Sequence, residues 1–434
     1  MYKYILFLIS MYMLICGIIK IKYKFWSIQP VFHYYNILYW IYPPGVIQKN
    51  VPKINKYVDL INIKTDTVEN YTETEIQKMI GLIQIYFLKK KDAQYMPENK
   101  DIINYLLYSN HNSYISVYKE PILLTSSSNN SNNSNNNSND NIIKDTDYIG
   151  VITSRPLYVT MKKTKLPVYY VDNLCVHDGY RKKGIAPKLI QTLVYNLRKK
   201  NSKITSCLFK REGKQNAYVP LVKYFTYGYL YSNIPKLQFP NGSYNLLEIS
   251  NTNFILFKDT LSREKEKSKY KVVILPDIAN LLYLIKMKNI FIYGVFINNK
   301  LISFYIFRNA NVSYSNKYFT NNKNSSDSSS KENKPNTLEC ICSIGSDVNS
   351  DVNSDVNSDV NSDIFYTGFC QSLHRCSKEV NIENILIEDT SMNNIIIDKM
   401  NNYKIKSVIK SPTSFFLYNY ACYTIQSNNS LIIY

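Results

Sequence analysis

Hydrophobic and polar positions change period several times along the chain. Residues 147–160 (DYIGVITSRPLYVT) and 168–177 (VYYVDNLCVH) have the β-branched and aromatic density of strands and are expected to lie side by side. Over residues 186–199, Leu189, Ile190, Leu193, Val194 and Leu197 recur at the spacing of an amphipathic helix. In the second half, 276–287 reads as a helix with Pro276 tolerated in its first turn. Residues 290–308 (IFIYGVFINNKLISFYIFR) read as a hairpin turning at Asn298-Asn299. An earlier hairpin, SYISVYKEPILL followed by YIGVIT, has the same plan. Strand, interrupted turn, strand and helix thus occur in both halves, which predicts an α+β fold of two similar units.

Three low-complexity stretches interrupt this pattern. Residues 126–141 are almost pure Ser/Asn, 315–336 are rich in Asn, Ser and Lys, and 346–363 repeat SDVN. They hold too little apolar surface to offset the entropy of ordering, so all three are expected to be surface loops. At the other extreme, residues 4–19 contain no charge, with Lys3 before them and Lys20, Lys22 and Lys24 after. Sixteen helical residues span about 24 Å, short of a hydrocarbon core of roughly 30 Å. Three readings stay open: a membrane anchor with its lysine-rich flank inside, a cleaved signal, or a buried element of the fold. The first leaves the rest of the chain cytoplasmic.

Composition narrows the class. At 434 residues and 45% hydrophobic content the chain is too long for one core and suits two. Its 40 Tyr and 18 Phe exclude a wholly disordered chain, and the scarcity of Gly and Pro (12 and 15) excludes collagen-like or Pro-rich architecture. The charge balance, 52 basic minus 33 acidic residues or +19, raises a polyanionic partner. The excess is nearly all Lys, however, and the Arg forks that read nucleic acid are rare, so it reads as a solvated surface with no nucleic-acid partner. The eight cysteines (Cys16, Cys175, Cys207, Cys340, Cys342, Cys370, Cys376 and Cys422) are scattered, without a CxxC unit. With four His in the chain, a reduced compartment without zinc is expected; Cys370, His374 and Cys376 come nearest to a metal cluster.

The segment with chemistry is 174–187, LCVHDGYRKKGIAP. A strand runs into Arg181-x-x-Gly184-x-Ala186 and then directly into the amphipathic helix. Free main-chain N–H groups at a helix start bind anions, and Gly184 and Ala186 let a pyrophosphate approach the backbone. Arg181, Lys182 and Lys183 add positive charge. This is the arrangement of an acyl-CoA pyrophosphate site; the alternative is a tight strand-to-helix turn with a basic rim.

At these residues the chain resembles the GNAT acyltransferase superfamily, and within it the N-myristoyltransferases. Residues 171–190, VDNLCVHDGYRKKGIAPKLI, resemble that family's INFLCVHKxLRxKRLAPxLI block. KFWSIQPV (24–31) is similar to its FWxTQPV, Gly45-Val46-Ile47-Gln48 to its GPIE, and FLYNY (416–420) to its YYLYNW; the terminal SLIIY is similar to GLVLx. The resemblance implies two tandem GNAT-like units with central mixed sheets flanked by helices. After the hydrophobic segment 1–22, residues 23–245 would bind myristoyl-CoA and 246–434 would build most of a peptide groove.

The implied reaction is direct attack of an N-terminal glycine amine on the thioester, with no metal, prosthetic group or covalent intermediate. The resemblance assigns Tyr23, Lys24, Phe25, Trp26, Leu174, Cys175 and Val176 to acyl-CoA contact. Arg181, Lys182, Lys183, Gly184, Ile185 and Ala186 would hold its phosphates. The N–H groups of Asn173 and Leu174 would form the oxyanion hole, and the α-carboxylate of Tyr434 would be the general base. Asp172 replaces the family's Asn and is expected to grip the substrate ammonium; Asn173 replaces a Phe. Other departures gather on the peptide side. FKREG (209–213) lacks the Thr of the family's TAG, Thr226 stands at a peptide-contacting His, residues 410–414 replace GDGN, and an acidic stretch is missing around 87–101. The expected partners are myristoyl-CoA and proteins with an N-terminal glycine. The chain is expected to be a cytoplasmic monomer, with residues 4–19 as the segment for membrane association. Two other readings remain: a GNAT enzyme with a different donor or acceptor, and a non-catalytic acyl-CoA binder.

Overall fold

The structure, a computed structural model, describes residues 2–88, 93–119, 148–161, 164–213, 218–240, 242–266, 269–314, 336–345 and 358–434. The strands that matter here are β1 (Ile63–Asp66), β2 (Tyr114–Lys119), β3 (Tyr148–Met161), β4 (Thr164–Val176), β5 (Ser206–Glu212), β6 (Val222–Leu230) and β7 (Tyr244–Glu248) in the first half. They continue with β8 (Val272–Leu275), β9 (Ile290–Ile297), β10 (Lys300–Asn309), β11 (Asn336–Gly345), β12 (Ile382–Glu388), β13 (Ile409–Tyr418) and β14 (Ser430–Ile432). The longer helices are α1 (Tyr2–Lys22), α2 (Glu73–Tyr86), α3 (Ile185–Lys200), α4 (Phe254–Glu266), α5 (Ile278–Lys286), α6 (Ser358–Cys376) and α7 (Asn393–Asn402).

The expected doubling is visible in the connectivity. In the first half β3 and β4 form an antiparallel pair, and α3 crosses over to β5, which runs parallel to β4. In the second half β10 and β11 form the antiparallel pair, and α6 crosses over to β12, parallel to β11. The hairpin at Asn298-Asn299 forms as the pattern requires, with φ of 47° and 61°, the left-handed pair a two-residue turn demands. The halves share one ladder: β5 pairs β13, β13 pairs β6, and β6 pairs β12. Near the chain's end β14 lies parallel to β8, which in turn pairs β3. The principal core likewise crosses the boundary, joining Leu157 and Val168 to Phe257, Phe304, Phe415 and Ile433.

α3 buries Leu189, Leu193, Val194 and Leu197 on one face, as its spacing indicates. It comes so close to β3 that a Cβ at Gly150 would stand 2.8 Å from Leu189 Cδ1 and 3.3 Å from the Cys175 carbonyl oxygen.

Three expectations change. The interrupted turns fall at different places in the two units: between β2 and β3 in the first, and between β10 and β11 in the second. Residues 126–141, 315–335 and 346–357 of the low-complexity stretches lie outside the described residues, but the SDVN repeat is not loop throughout. Residues 358–363 form the start of α6, where the repeat's Val and Asp continue directly into the apolar stretch that packs the helix. The N-terminal helix is also longer than its uncharged stretch. At 21 residues it extends about 32 Å, and none of its residues is buried, which rules out the buried-element reading. All eight cysteines are free thiols.

Candidate active site

β4 and β5 are parallel neighbours only where 168–170 face 206–208. Beyond Tyr170 and Leu208 they part, leaving a wedge between 171–176 and 209–212. Trp26 enters this region from the N-terminal segment, stacking on Phe209 at 5.9 Å and packing on Tyr218 at 5.1 Å. Phe25 is buried against Trp26 and Tyr57. Trp26 and Leu174 pack on the same apolar cluster as Ile185, so the structure brings the 23–26 segment, the strand end and the helix start together.

At the mouth of the wedge β4 carries a one-residue bulge. Thr153 faces Asp172 and Val151 faces Cys175, so Asn173 and Leu174 together oppose Ile152. Asn173 adopts φ of 52°, a left-handed conformation that Asn tolerates better than the Phe expected at this position. Its side-chain Nδ2 donates to Thr153 Oγ1 at 3.1 Å, and that hydroxyl donates to the Asp172 carbonyl at 3.2 Å. The bulge turns main-chain N–H groups away from the ladder, the local requirement for an oxyanion hole. One of them is already engaged, because Asn173 N–H donates to Asp172 Oδ1 at 2.8 Å.

The turn assigned to phosphates from the sequence follows. His177 ends the strand, accepting the Gly179 N–H on Nδ1 at 3.1 Å while its Nε2 contacts the Tyr86 hydroxyl at 2.7 Å. Gly184 caps α3 with φ of 81°, a backbone state that favours glycine, and nothing lies within 4 Å of where its Cβ would be. The first N–H groups of α3 have no partner within the helix. Lys182 and Lys183 are exposed beside them. Arg181 is more constrained than the sequence implies. Its guanidinium donates to the Tyr86 carbonyl at 2.7 Å and the Val176 carbonyl at 3.3 Å, and pairs with Asp178 at 3.0 Å. It clamps the end of α2 against the strand end, leaving the two exposed lysines as the charges beside the helix start.

Against the bulge, and reaching Lys210, Arg211 and Glu212 across the wedge, lies a cavity of about 790 Å³, whose lining includes Asp172, Asn173, Arg155, Thr226 and residues 408–411. Phe87, Leu88 and the short pairing of Ala93–Tyr95 with Val312–Tyr314 contribute further walls. Part of the stretch where the family's acidic block is expected to be missing, 89–92, lies outside the described residues. Asp172 and Thr226, assigned from opposite ends of the motif list, therefore line one chamber.

Sequence reasoning missed the charged floor of this chamber. Lys210, directly after Phe209, pairs with Glu388 at 2.5 Å and Glu339 at 3.2 Å. Arg308 pairs with Glu339 at 2.6 Å. The Tyr434 hydroxyl donates to Glu388 at 2.7 Å and accepts from Lys210 and Arg308, each at 2.7 Å. Burial and the neighbouring Glu339 push the Glu388 carboxyl up to about 7, against the pull of Lys210. Burial would raise Glu339 too, but the charges of Arg308 and Lys210 outweigh it and hold it well below the usual carboxylate range. The available signal was a charged residue inside or at the end of otherwise apolar strands: Arg308 in β10, Glu339 in β11 and Glu388 in β12.

Splayed parallel strands, a bulge with outward N–H groups and a glycine turn at a helix start define a GNAT-type acyltransferase fold, and residues 111–217 match the acetyltransferase (GNAT) family. The chain as a whole has the fold of N-myristoyltransferase. It is similar to the Saccharomyces cerevisiae enzyme solved with bound myristoyl-CoA, at a TM-score of 0.66 and 14% identity over 95% of this chain and 92% of that one. A second structure of that enzyme with myristoyl-CoA gives a TM-score of 0.63, also at 14% identity, over 93% of this chain and 94% of the other. The yeast enzyme with myristoyl-CoA and inhibitors gives 0.64 and 14%, over 96% of each chain. No curated protein matches the chain in sequence.

Proposed function

We propose that the protein transfers a myristoyl group from myristoyl-CoA to the N-terminal glycine amine of protein substrates. The observation that carries this reading is the position of the bulge at Asn173-Leu174. It stands between a strand end that runs into a glycine turn at a helix start and a chamber, lined by Asp172 and Asn173, that is large enough for several peptide residues. A two-substrate transfer needs this arrangement: donor from one side, acceptor from the other, meeting at main-chain donors.

The acyl-CoA would lie in the wedge, its phosphates on the N–H groups of Ile185 and Ala186 with Lys182 and Lys183 alongside. Tyr23, Lys24, Phe25, Trp26, Cys175 and Val176 would flank it. The acceptor amine would enter from the chamber past Asp172 and attack the thioester carbon. A C–N bond forms as the C–S bond breaks, and coenzyme A leaves as the thiol. The developing oxyanion is assigned to the Leu174 N–H, with the Asn173 N–H as second donor once Asp172 releases it. The amine proton is assigned to the α-carboxylate of Tyr434, whose hydroxyl hydrogen-bonds with Lys210 and Arg308 of the chamber lining.

The test is acylation of a glycine-initiated peptide by myristoyl-CoA, with acetyl-CoA and an alanine-initiated peptide as controls. Myristoylation confined to the glycine peptide is expected; transfer from acetyl-CoA alone, or none from either donor, would overturn the reading.

A further inference from the structure

The chamber contains a buried cation that makes no direct ion pair among the described residues. Arg155 lies on β3, opposite Tyr170 and two positions from Thr153, which faces Asp172. Its side chain is 5% exposed, held between the rings of Tyr105 at 4.9 Å and Tyr170 at 5.2 Å, and all three residues line the chamber. Its Nη1 is enclosed and meets no hydrogen-bond acceptor, and no carboxylate pairs with the guanidinium, among the described residues. The other buried cations of the chamber differ: Lys210 and Arg308 each hold carboxylates. Burial works against the charge of Arg155; Tyr170, Tyr105 and the Asp172 carboxylate only partly offset this, and Arg308 adds to it. A planar fork held between two aromatic faces is pre-organised for a carboxylate.

We propose that Arg155 is a specificity residue, which receives an acidic side chain from one of the first residues after the acceptor amine. Two strand positions separate Arg155 from the level of Asp172, about 7 Å, which matches the span between same-side residues of an extended peptide. The identity of this occupant rests on the acyl-transfer reading; the anion site itself does not. The acidic side chain would supply the direct partner that Nη1 lacks, and a peptide with an amide in its place would leave the guanidinium desolvated and without an ion pair.

The experiment uses the full chain with coenzyme A present and glycine-initiated hexapeptides carrying Glu or Gln at each of positions two to five. Calorimetric binding and acylation are both recorded. At one position Glu is expected to exceed Gln by about 10- to 100-fold in affinity. Arg155→Met should abolish that preference, leave the Gln peptide within about twofold, and raise the melting temperature of the peptide-free protein. Arg155→Lys should retain part of the preference. Equal binding of Glu and Gln peptides at every position, or binding of neither, would overturn the proposal, even if Arg155→Met stabilises the fold. A Glu preference in binding without acylation would leave the anion site standing and remove the transfer reaction.

Discussion

The main-chain N–H of Asn173 donates to the carboxylate of Asp172, its immediate neighbour, at 2.8 Å. One of the two donors assigned to the oxyanion is therefore held by a negative charge in the unliganded protein. Asp172→Ala removes both the competitor and the charge beside the developing oxyanion. We expect kcat for peptide acylation to rise about 3- to 10-fold, a fraction of what a full oxyanion donor is worth. The peptide KM should rise as well, because an ammonium ligand is lost. Steady-state kinetics that show kcat falling with KM would place Asp172 in catalysis instead.

Gly184 separates backbone geometry from charge. Gly184→Ala meets no neighbour but must hold φ near 81°, a strain of about 1 kcal/mol. The fold should survive, with coenzyme A affinity lowered by less than about tenfold. Gly184→Glu sets a carboxylate where the phosphates would lie and should reduce binding below detection. Titration calorimetry with coenzyme A distinguishes the two; full affinity in the Glu variant would place the phosphates elsewhere.

The Glu388 carboxyl should be visible in a pH–stability profile. Its folded-state pKa of about 7 lies above the ordinary Glu value, so the folded protein binds the extra proton. Stability from this group is present below about pH 4.5 and is lost as pH rises towards 7. Glu388→Gln keeps a hydrogen-bonding group without the charge and should flatten that interval in urea melts between pH 5 and 8. An unchanged slope would move the titration to another group.

Tyr434 can be divided into ring and carboxylate. Tyr434→Phe leaves Glu388, Lys210 and Arg308 short of one shared hydroxyl, and should cost about 1–3 kcal/mol in stability with turnover largely kept. Two residues appended after Tyr434 displace the carboxylate and should cut single-turnover acyl transfer at least 100-fold. Unchanged transfer in the extended chain would remove the carboxylate as base.

The sequence motifs led to the right neighbourhoods because most rest on backbone demands. A left-handed glycine ahead of an amphipathic helix, Asn-Asn between two apolar strands and a strand ending in LCVH each specify local geometry. Arg155, Lys210, Glu339 and Glu388 were not legible in the same way. They come from β3, β5, β11 and β12, and only the sheet brings the first three to one chamber, with Glu388 paired to Lys210 behind its lining. Arg181 illustrates the converse: its spacing from Gly184 suggested phosphate contact, while its position in space ties it to the end of α2.

The exposed helix α1, 21 residues with a mean hydropathy of 2.2, also gives a direct measurement. Its uncovered apolar surface and the Lys20, Lys22 and Lys24 flank suit a membrane, and the full chain should float with liposomes in a density gradient. A chain starting at Tyr23 should stay at the bottom with its coenzyme A affinity unchanged. Equal flotation of both would assign membrane binding to another surface.

The strand β13 lies between β5 and β6, so a segment from near the chain's end completes the ladder begun in its first half. Neither half owns a finished sheet edge at this seam, and neither could be released without stripping two rows of hydrogen bonds. The wedge and the chamber are therefore parts of one cooperative unit. Heat should melt them in a single calorimetric transition, and any ligand that tightens one side will be felt in the stability of the other.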